Sequence, residues 1–434
     1  MNLDAEHSNP QKAVVLVVDK YSQDVHLASL TAGVKYPVKF SSQAGIEYTR
    51  GFYSILADLA NVQPGIRVFF YRRRIDEPPE GRGFIGEWEA DGSPYEDLLR
   101  EIAYGNLKIL GRCPKCGCPV SRLPDKKSQN KSYSQPHCES CKTELEGHIL
   151  PLRFPLKLFH PYQRYLDDNT AYVDITDEGR LSTLIFRKVY GAGRERSVNP
   201  ILPEEAEKLR RLLQRVEREG KNHQVSLPSA SPHNPPPTVQ TLHHYINFTR
   251  SLPLAGKGRT LLYDTGSEEM VYETVLEFWL MRELAYNHSQ ILSILEIPPN
   301  EQLEWFANQV LFGIGGEKSD VLLLMCNEAG QRCRAVVIEL KKDVVDSQSL
   351  EQVKSYAYWI AQLATAQVQN AIQRPFEITP IAIGRRVKRG TQPFVKFQVQ
   401  IPYTSPLTVV VESPRVFTYS VDSANNTLRL SRVI

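Results

Sequence analysis

The stretch SDVLLLMCNEAGQRCRAVVIELKK, residues 319–342, decides how the second half of the chain is read. Two apolar runs flank Asn327 to Gly330, a turn-forming composition, so the stretch predicts a β-hairpin. Asp320 opens the first run; Glu339 and Lys341 close the second. A hairpin brings the start of its first strand beside the end of its second. Residues 339 and 341 differ by two and share a face. Asp320 is therefore expected beside Glu339, with Lys341 near both. Burying a carboxylate and an ammonium at the end of an apolar strand is costly unless they are paired. Two adjacent carboxylates offer oxygen ligands to Mg2+ or Mn2+. Such an ion neutralises phosphate charge and orients water, and a lysine stabilises charge that develops beside it.

Outward from the hairpin the pattern is α/β. An amphipathic segment, SEEMVYETVLEFWLMRELAYN (267–287), precedes it and places Glu273 and Glu277 one turn apart on one face. A second helix pattern, 347–370, carries Gln352 and Tyr356 four residues apart. Strand-like ITPIAIG (378–384) and FVKFQVQ (394–400) follow. The ordered set resembles the PD-(D/E)xK nuclease superfamily, with Ser319 in place of its proline and 18 residues between Asp320 and Glu339. Gln352 and Tyr356 are similar to the Gln-x-x-x-Tyr signature of RecB-type and NucS-type nucleases. The resemblance covers about 267–383 and implies a restriction-endonuclease-like α/β domain. It implies magnesium or manganese on Asp320 and Glu339, and Lys341 at the reacting phosphate. Glu273 or Glu277 would add a helix carboxylate, Glu273 being preferred, and Gln352 and Tyr356 would reach the site or the DNA backbone. Glu317, Lys318 and Lys342 are expected at its periphery.

A Pro/Ser-rich stretch, 225–240, cannot build a core and reads as a linker. The expected domains are 1–222, a linker at 223–240, and 241–434. The first part carries strand signals at AVVLVVD (13–19), RVFFY (67–71), GFIGEWEA (83–90), RFPLKLF (153–159), TAYVDI (170–175) and STLIFRKVYG (182–191). These suggest a small β-barrel closed by a helix from Pro203, with apolar residues at 206, 209, 212, 213 and 216. Residues Gln63 to Asp97, with Pro64-Gly65, Phe69 to Tyr71 and Gly83 to Glu89, resemble the EVE domains of the PUA-like group. Such domains take an extruded base into an aromatic pocket, and in bacterial and archaeal nucleases the group is associated with modified cytosine. A flipped base needs ring walls and a few polar readers. The candidates are Tyr71, Phe84, Trp88 and Tyr95 as walls, and Asp91, Ser93 and Asp97 as readers.

Cys113-x-x-Cys116 and Cys138-x-x-Cys141 are separated by 21 largely polar residues. The pattern predicts two knuckles on one tetrahedral zinc, a ribbon inserted at about 111–147. Its polar loop has little core, so metal would supply folding energy. Cys118 is a spare thiol, His137 and His148 are nearby alternative ligands, and Cys326 and Cys333 read as small buried apolar residues. The net charge is +3, but basic residues cluster at Arg72, Arg73 and Arg74, at Lys208 to Arg218, and at Arg385, Arg386, Lys388 and Arg389. Such clusters suit phosphates where net charge does not. No apolar run reaches the length of a membrane span, and the polar start shows no secretory pattern, so a cytoplasmic location is expected. Together these readings lead to a modification-dependent endonuclease acting on double-stranded DNA. Cutting both strands would suit a homodimer. A NucS-like repair or structure-specific nuclease, and a non-catalytic nucleic-acid-binding protein, are the alternatives.

Overall fold

The computed structural model describes residues 13–72, 83–122, 135–160, 162–167, 170–171, 196–220, 224, 241–312, 317–366, 368, 371–402, 406–422 and 424–434. The chain packs as two units, one formed by 13–245 with 253–258, the other by 246–252 with 259–434. The stretch 225–240, the strand expected at 182–191 and most of that at 170–175 lie outside the described residues; Thr170 and Ala171 are helical.

The first unit is built on strands β1 (Ala13–Val18), β2 (Thr31–Val34), β3 (Arg67–Arg72), β4 (Gly83–Ala90), β5 (Leu152–His160) and β6 (Val198–Ile201). They lie in the order β6-β1-β3-β4-β5-β2, and Tyr95–Glu96 also pairs with β5. The sheet is mixed: β1 and β3 run parallel and the other neighbours antiparallel. Helices α1 (Lys20–Ser29), α2 (Arg50–Leu59) and α3 (Pro203–Glu219) accompany it. The first two were not legible as helices; each is started by a side-chain cap, Asp19 accepting from Ser22 N at 2.9 Å and Thr49 from Phe52 N at 3.2 Å. On α3, Ala206, Leu209, Leu212, Leu213 and Val216 form the expected apolar stripe and pack with Val15, Phe69, Tyr71 and Phe84. From the same helix Arg210 reaches Glu87 of β4, a fully buried carboxylate, at 2.6 Å.

The cysteine segment leaves and re-enters this unit through neighbouring chains. Leu107–Leu110 pairs in parallel with Gly147–Ile149. Gly147 lies so close to its neighbour that a Cβ would meet the Lys108 carbonyl oxygen at 1.8 Å. His148 in this strand meets Asp19 at 2.8 Å and stands 12% exposed, so it is tied to the start of α1.

The second unit contains α4 (Glu273–Tyr286), β7 (Gln302–Phe312), β8 (Glu317–Cys326), β9 (Arg332–Leu340), α5 (Ser347–Thr365), β10 (Ile372–Gly384), β11 (Phe397–Ile401), β12 (Leu407–Val411), β13 (Arg415–Asp422) and β14 (Thr427–Arg432). Strands β7, β8 and β9 form an antiparallel meander. The chain then crosses through α5 to β10, parallel to β9. The sheet continues β10-β12-β11, with β13 beside β10 and β14 on β13. Asp346 caps α5, accepting from Ser349 N at 3.0 Å. Leu350, Val353, Ala357, Ile360, Ala361 and Ala364 give α5 the face that lies on β9 and β10. The hairpin, both flanking helices and β10 agree with the sequence reading. Strand β7 was missed.

His26 supplies a test of the first unit's packing. It is buried on α1, its Nδ1 lies 3.0 Å from the Thr31 carbonyl oxygen, and its Nε2 has no hydrogen-bond partner among the described residues. Burial pulls its pKa from 6.5 down to about 4, with Asp19, His148 and Arg153 the charged groups around it. The folded state then binds fewer protons than the unfolded one between those values, so stability falls as pH falls from 6.5 to 4. The full loss is on the order of 3 kcal/mol. The neighbouring His148 acts oppositely: burial lowers its pKa, Asp19 raises it more, and its contribution fades as pH rises. Amide protection factors across 20–29, measured against the intrinsic exchange rate at each pH, should fall on acidification from pH 6.5 to 4 in the wild-type chain and change much less in His26→Gln.

Candidate functional site

The β8–β9 register runs Leu322↔Val337, Val321↔Ile338, so the next opposed pair is Asp320 and Glu339. Asp320 Oδ2 accepts a hydrogen bond from Leu340 N at 2.7 Å. Lys341 Nζ donates to Glu339 Oε1 at 2.7 Å. Glu339 is only 5% exposed, and its Oε2 is buried with no partner among the described residues. Helix α4 brings two further carboxylates to this end of the hairpin. Glu273, half-buried, accepts from Lys342 N at 3.2 Å. Glu277 is buried and accepts from Asn308 Nδ2 at 2.8 Å and Gln309 Nε2 at 3.1 Å. Gln309 Nε2 also lies 3.3 Å from Asp320 Oδ1.

Concentrated acid shapes the electrostatics. Burial pushes the Asp320 carboxyl well above its ordinary range, and Glu339, Glu277 and Glu273 add to the rise while Leu340 N–H opposes it. Burial also raises Glu339, against Lys341. Lys341 is lowered by burial, but Glu339 outweighs that and holds the ammonium above its usual value. Such a cluster gains from a cation that replaces its protons. Among the described residues, the only set of three or more ligand-type side chains with atoms within 4.8 Å of one another is the cysteine quartet described below. Among the described residues the carboxylates here form no such group.

The flanking candidates are placed as follows. Gln352 is half-buried and Tyr356 buried on α5, the helix lying over β9. Lys318 is half-buried, and the Glu317 side chain lies outside the described set. Lys342 pairs with Glu269 at 3.0 Å. Two basic candidates differ from the expectation of open phosphate-binding charges. Arg385 is half-buried among Glu268, Glu269 and Asp343 at 3.4 to 3.7 Å, and Arg386 meets Asp343 at 3.1 Å. Lys388 and Arg389 are exposed. Arg72 donates to Tyr165 OH at 3.0 Å; Arg73 and Arg74 lie outside the described residues.

The cysteines converge. Cys113 and Cys141 sulfurs are 3.7 Å apart, those of Cys116 and Cys138 3.4 Å, and all four lie within 4.8 Å of one another. Each pair sits on an equivalent turn: Gly117 N donates to the Cys113 carbonyl at 2.9 Å and Lys142 N to the Cys138 carbonyl at 3.1 Å. The residue after each second cysteine is left-handed, Gly117 at φ +74° and Lys142 at φ +58°. Sulfurs bound about 2.3 Å from one tetrahedral ion stand about 3.8 Å apart, so the quartet fits a single metal ion. Cys118 is buried beside it with its sulfur 3.6 Å from the Val120 carbonyl oxygen, and His148 is engaged by Asp19. His137 is half-buried and adjoins Cys138 in the strand His137–Cys138.

The aromatic residues expected to wall a base pocket in the first unit are packed away from solvent. Tyr71, Phe84, Trp88 and Tyr95 are 0 to 2% exposed. Tyr71 and Phe84 belong to the core under α3, and Trp88 meets Phe70 edge-on at 4.8 Å. The physical reason is that β3 and β4 are covered on both faces, so alternate rings on either side become core. Asp97 is buried too: it accepts from Arg153 Nη1 at 2.9 Å, Arg100 Nε at 2.8 Å and the amides of Leu99 and Arg100. Asp91 is exposed and Ser93 half-buried.

Sequence reasoning passed over two groups. Asn308 and Gln309 lie within a strand that was not foreseen. At the carboxyl ends of β1 and β3, Gln23 Nε2 donates to Tyr165 OH at 2.9 Å beside Arg72. Polar groups at that end of parallel strands are a common place for ligands.

The chain matches no protein-family signature and no curated protein. Among solved structures it is similar to a hypothetical protein from Leishmania major, at 12% identity and TM-score 0.26, over 48% of this chain and 97% of that one. It is similar to a protein from Pseudomonas putida at 14% identity and TM-score 0.26, over 46% and 99%. A third is human THYN1 protein in complex with 5-methylcytosine containing DNA, at 10% identity and TM-score 0.22, over 47% and 98%. At these scores the site's own geometry carries the argument.

Purified chain should contain one tightly held metal ion per copy by elemental analysis. Cys138→Ser should lose it and expose the cysteine segment to protease while the β7–β8–β9 sheet keeps its amide protection.

Proposed function

We propose that the chain is a divalent-metal-dependent DNA endonuclease, with a structural zinc in its first unit and recognition of a modified base in the same unit. The observation that supports cutting is the convergence of Asp320, Glu339 and Lys341, with a buried Glu339 oxygen that has no partner among the described residues. Asp320 and Glu339 would hold Mg2+ or Mn2+, which supplies charge neutralisation and an acidified water when bound. Lys341, 26% exposed in its side chain, points its ammonium at Glu339 and is charged; from there it can orient a water or balance charge on a phosphate oxygen. Glu273 is the better helix carboxylate for the ion, because Glu277 already has both oxygens occupied by amides. Four thiolates with no open position suit zinc in a structural role.

The EVE-like stretch Gln63 to Asp97 motivates the base-reading part. With its aromatic rings in the core, half-buried Arg72 and Ser93 and exposed Asp91 are the candidates of that stretch for contact with DNA.

The test incubates the chain with Mg2+ on matched unmodified, methylated, mismatched and branched duplexes, with Lys341→Ala alongside. Cutting of methylated duplex alone, reduced at least 100-fold in Lys341→Ala, is the expected result. A preference for mismatched or branched DNA assigns the same centre to repair. No Lys341-dependent cutting of any duplex refutes the nuclease reading.

A further inference from the structure

We infer that Gln309 is a positioning residue for Asp320, an amide strut anchored by Glu277 that fixes the carboxylate for a divalent cation. This inference rests on the nuclease reading of the cluster. Consecutive residues of a strand point to opposite faces. Asn308 and Gln309 do not: both amides reach the one carboxylate of Glu277, at 2.8 and 3.1 Å. The backbone explains this. Gln309 has φ +53°, left-handed and unfavourable for a residue with a Cβ. The pairs Asn308↔Val321 and Val310↔Ser319 bracket it, so Gln309 stands opposite Asp320 in the β7–β8 ladder. Strain held between two paired positions re-aims a side chain, as bulges near active sites do.

The hydrogen-bond inventory gives the re-aimed side chain its role. An amide nitrogen carries two hydrogens. Gln309 Nε2 lies 3.1 Å from Glu277 Oε2 and 3.3 Å from Asp320 Oδ1, one carboxylate for each hydrogen. Asn308 takes the other Glu277 oxygen. Glu277 is therefore an anchor, and the neutral amide keeps two acids apart without neutralising either. Asp320 is held from both sides, at Oδ1 by Gln309 and at Oδ2 by Leu340 N at 2.7 Å. One donor on each oxygen leaves each a lone pair for a cation. Outer partners of this kind orient the groups that bind the metal.

The experiment titrates the full chain with Mn2+, following the free ion by electron paramagnetic resonance, and records thermal unfolding of the same samples. Asp320→Asn identifies the Mn2+ held by the cluster. Gln309→Gly removes the strut and suits the left-handed backbone; Gln309→Met keeps the bulk without donors. Both variants are expected to weaken the Asp320-dependent Mn2+ binding by about 10- to 100-fold. Gln309→Gly relieves the positive φ but takes the donor from buried Glu277 Oε2, as Gln309→Met does, so both are titrated well below their own unfolding temperatures. Wild-type Mn2+ affinity in either folded variant overturns the inference. Weakened binding in both folded variants upholds the strut. A wild-type chain with no Asp320-dependent Mn2+ binding refutes the nuclease reading instead.

Discussion

Strand β9 is buried at each of its nine residues, and the second unit is organised around that fact. A strand with no solvent face must be flanked by partners and covered on both sides. Strand β8 and β10 supply the partners, and α5 lies across β9 and β10. The same burial forces every polar group on β9 to be met. At one end Arg332 and Arg334 are neutralised by Glu304 and Glu301 at 2.5 to 2.8 Å. At the other, Lys341 faces Glu339, whose second oxygen is left over. Both ends bury charge, but among the described residues only the Glu339 end leaves a carboxylate oxygen without a donor. That asymmetry separates a packing solution from a site.

How much of this could be read beforehand depended on what each feature needed. The hairpin needed only alternation and a turn, both local, so Asp320 opposite Glu339 followed from counting. The α3 stripe needed only the helical period. The cysteine knuckles needed only spacing. By contrast, the aromatic residues of β3 and β4 look alike whether they line a pocket or fill a core. The difference lies in what covers each face, which is tertiary. Asn308 and Gln309 were invisible for another reason. Their contribution depends on one backbone angle at Gln309, and nothing in QLEWFANQVLF announces a left-handed glutamine.

The cluster also shows how two similar acids acquire different roles. Glu273 and Glu277 are one helical turn apart and equivalent by pattern. Their surroundings divide them. Glu277 lies deeper and has two amide donors, while Glu273 has one backbone amide and partial exposure. A donor count, rather than a motif, distinguishes them.

The cysteine segment enters and leaves its host through paired neighbours, Lys108 beside Gly147. Adjacent strands lie about 4.8 Å apart. The two strands run parallel, so the end of the first does not meet the start of the second and a short turn could not join them; the chain has to cross over, and the cysteine segment is that crossover. In architectural terms the segment is a return path: cut below the length a crossover needs, it could no longer bring Gly147 back beside Lys108.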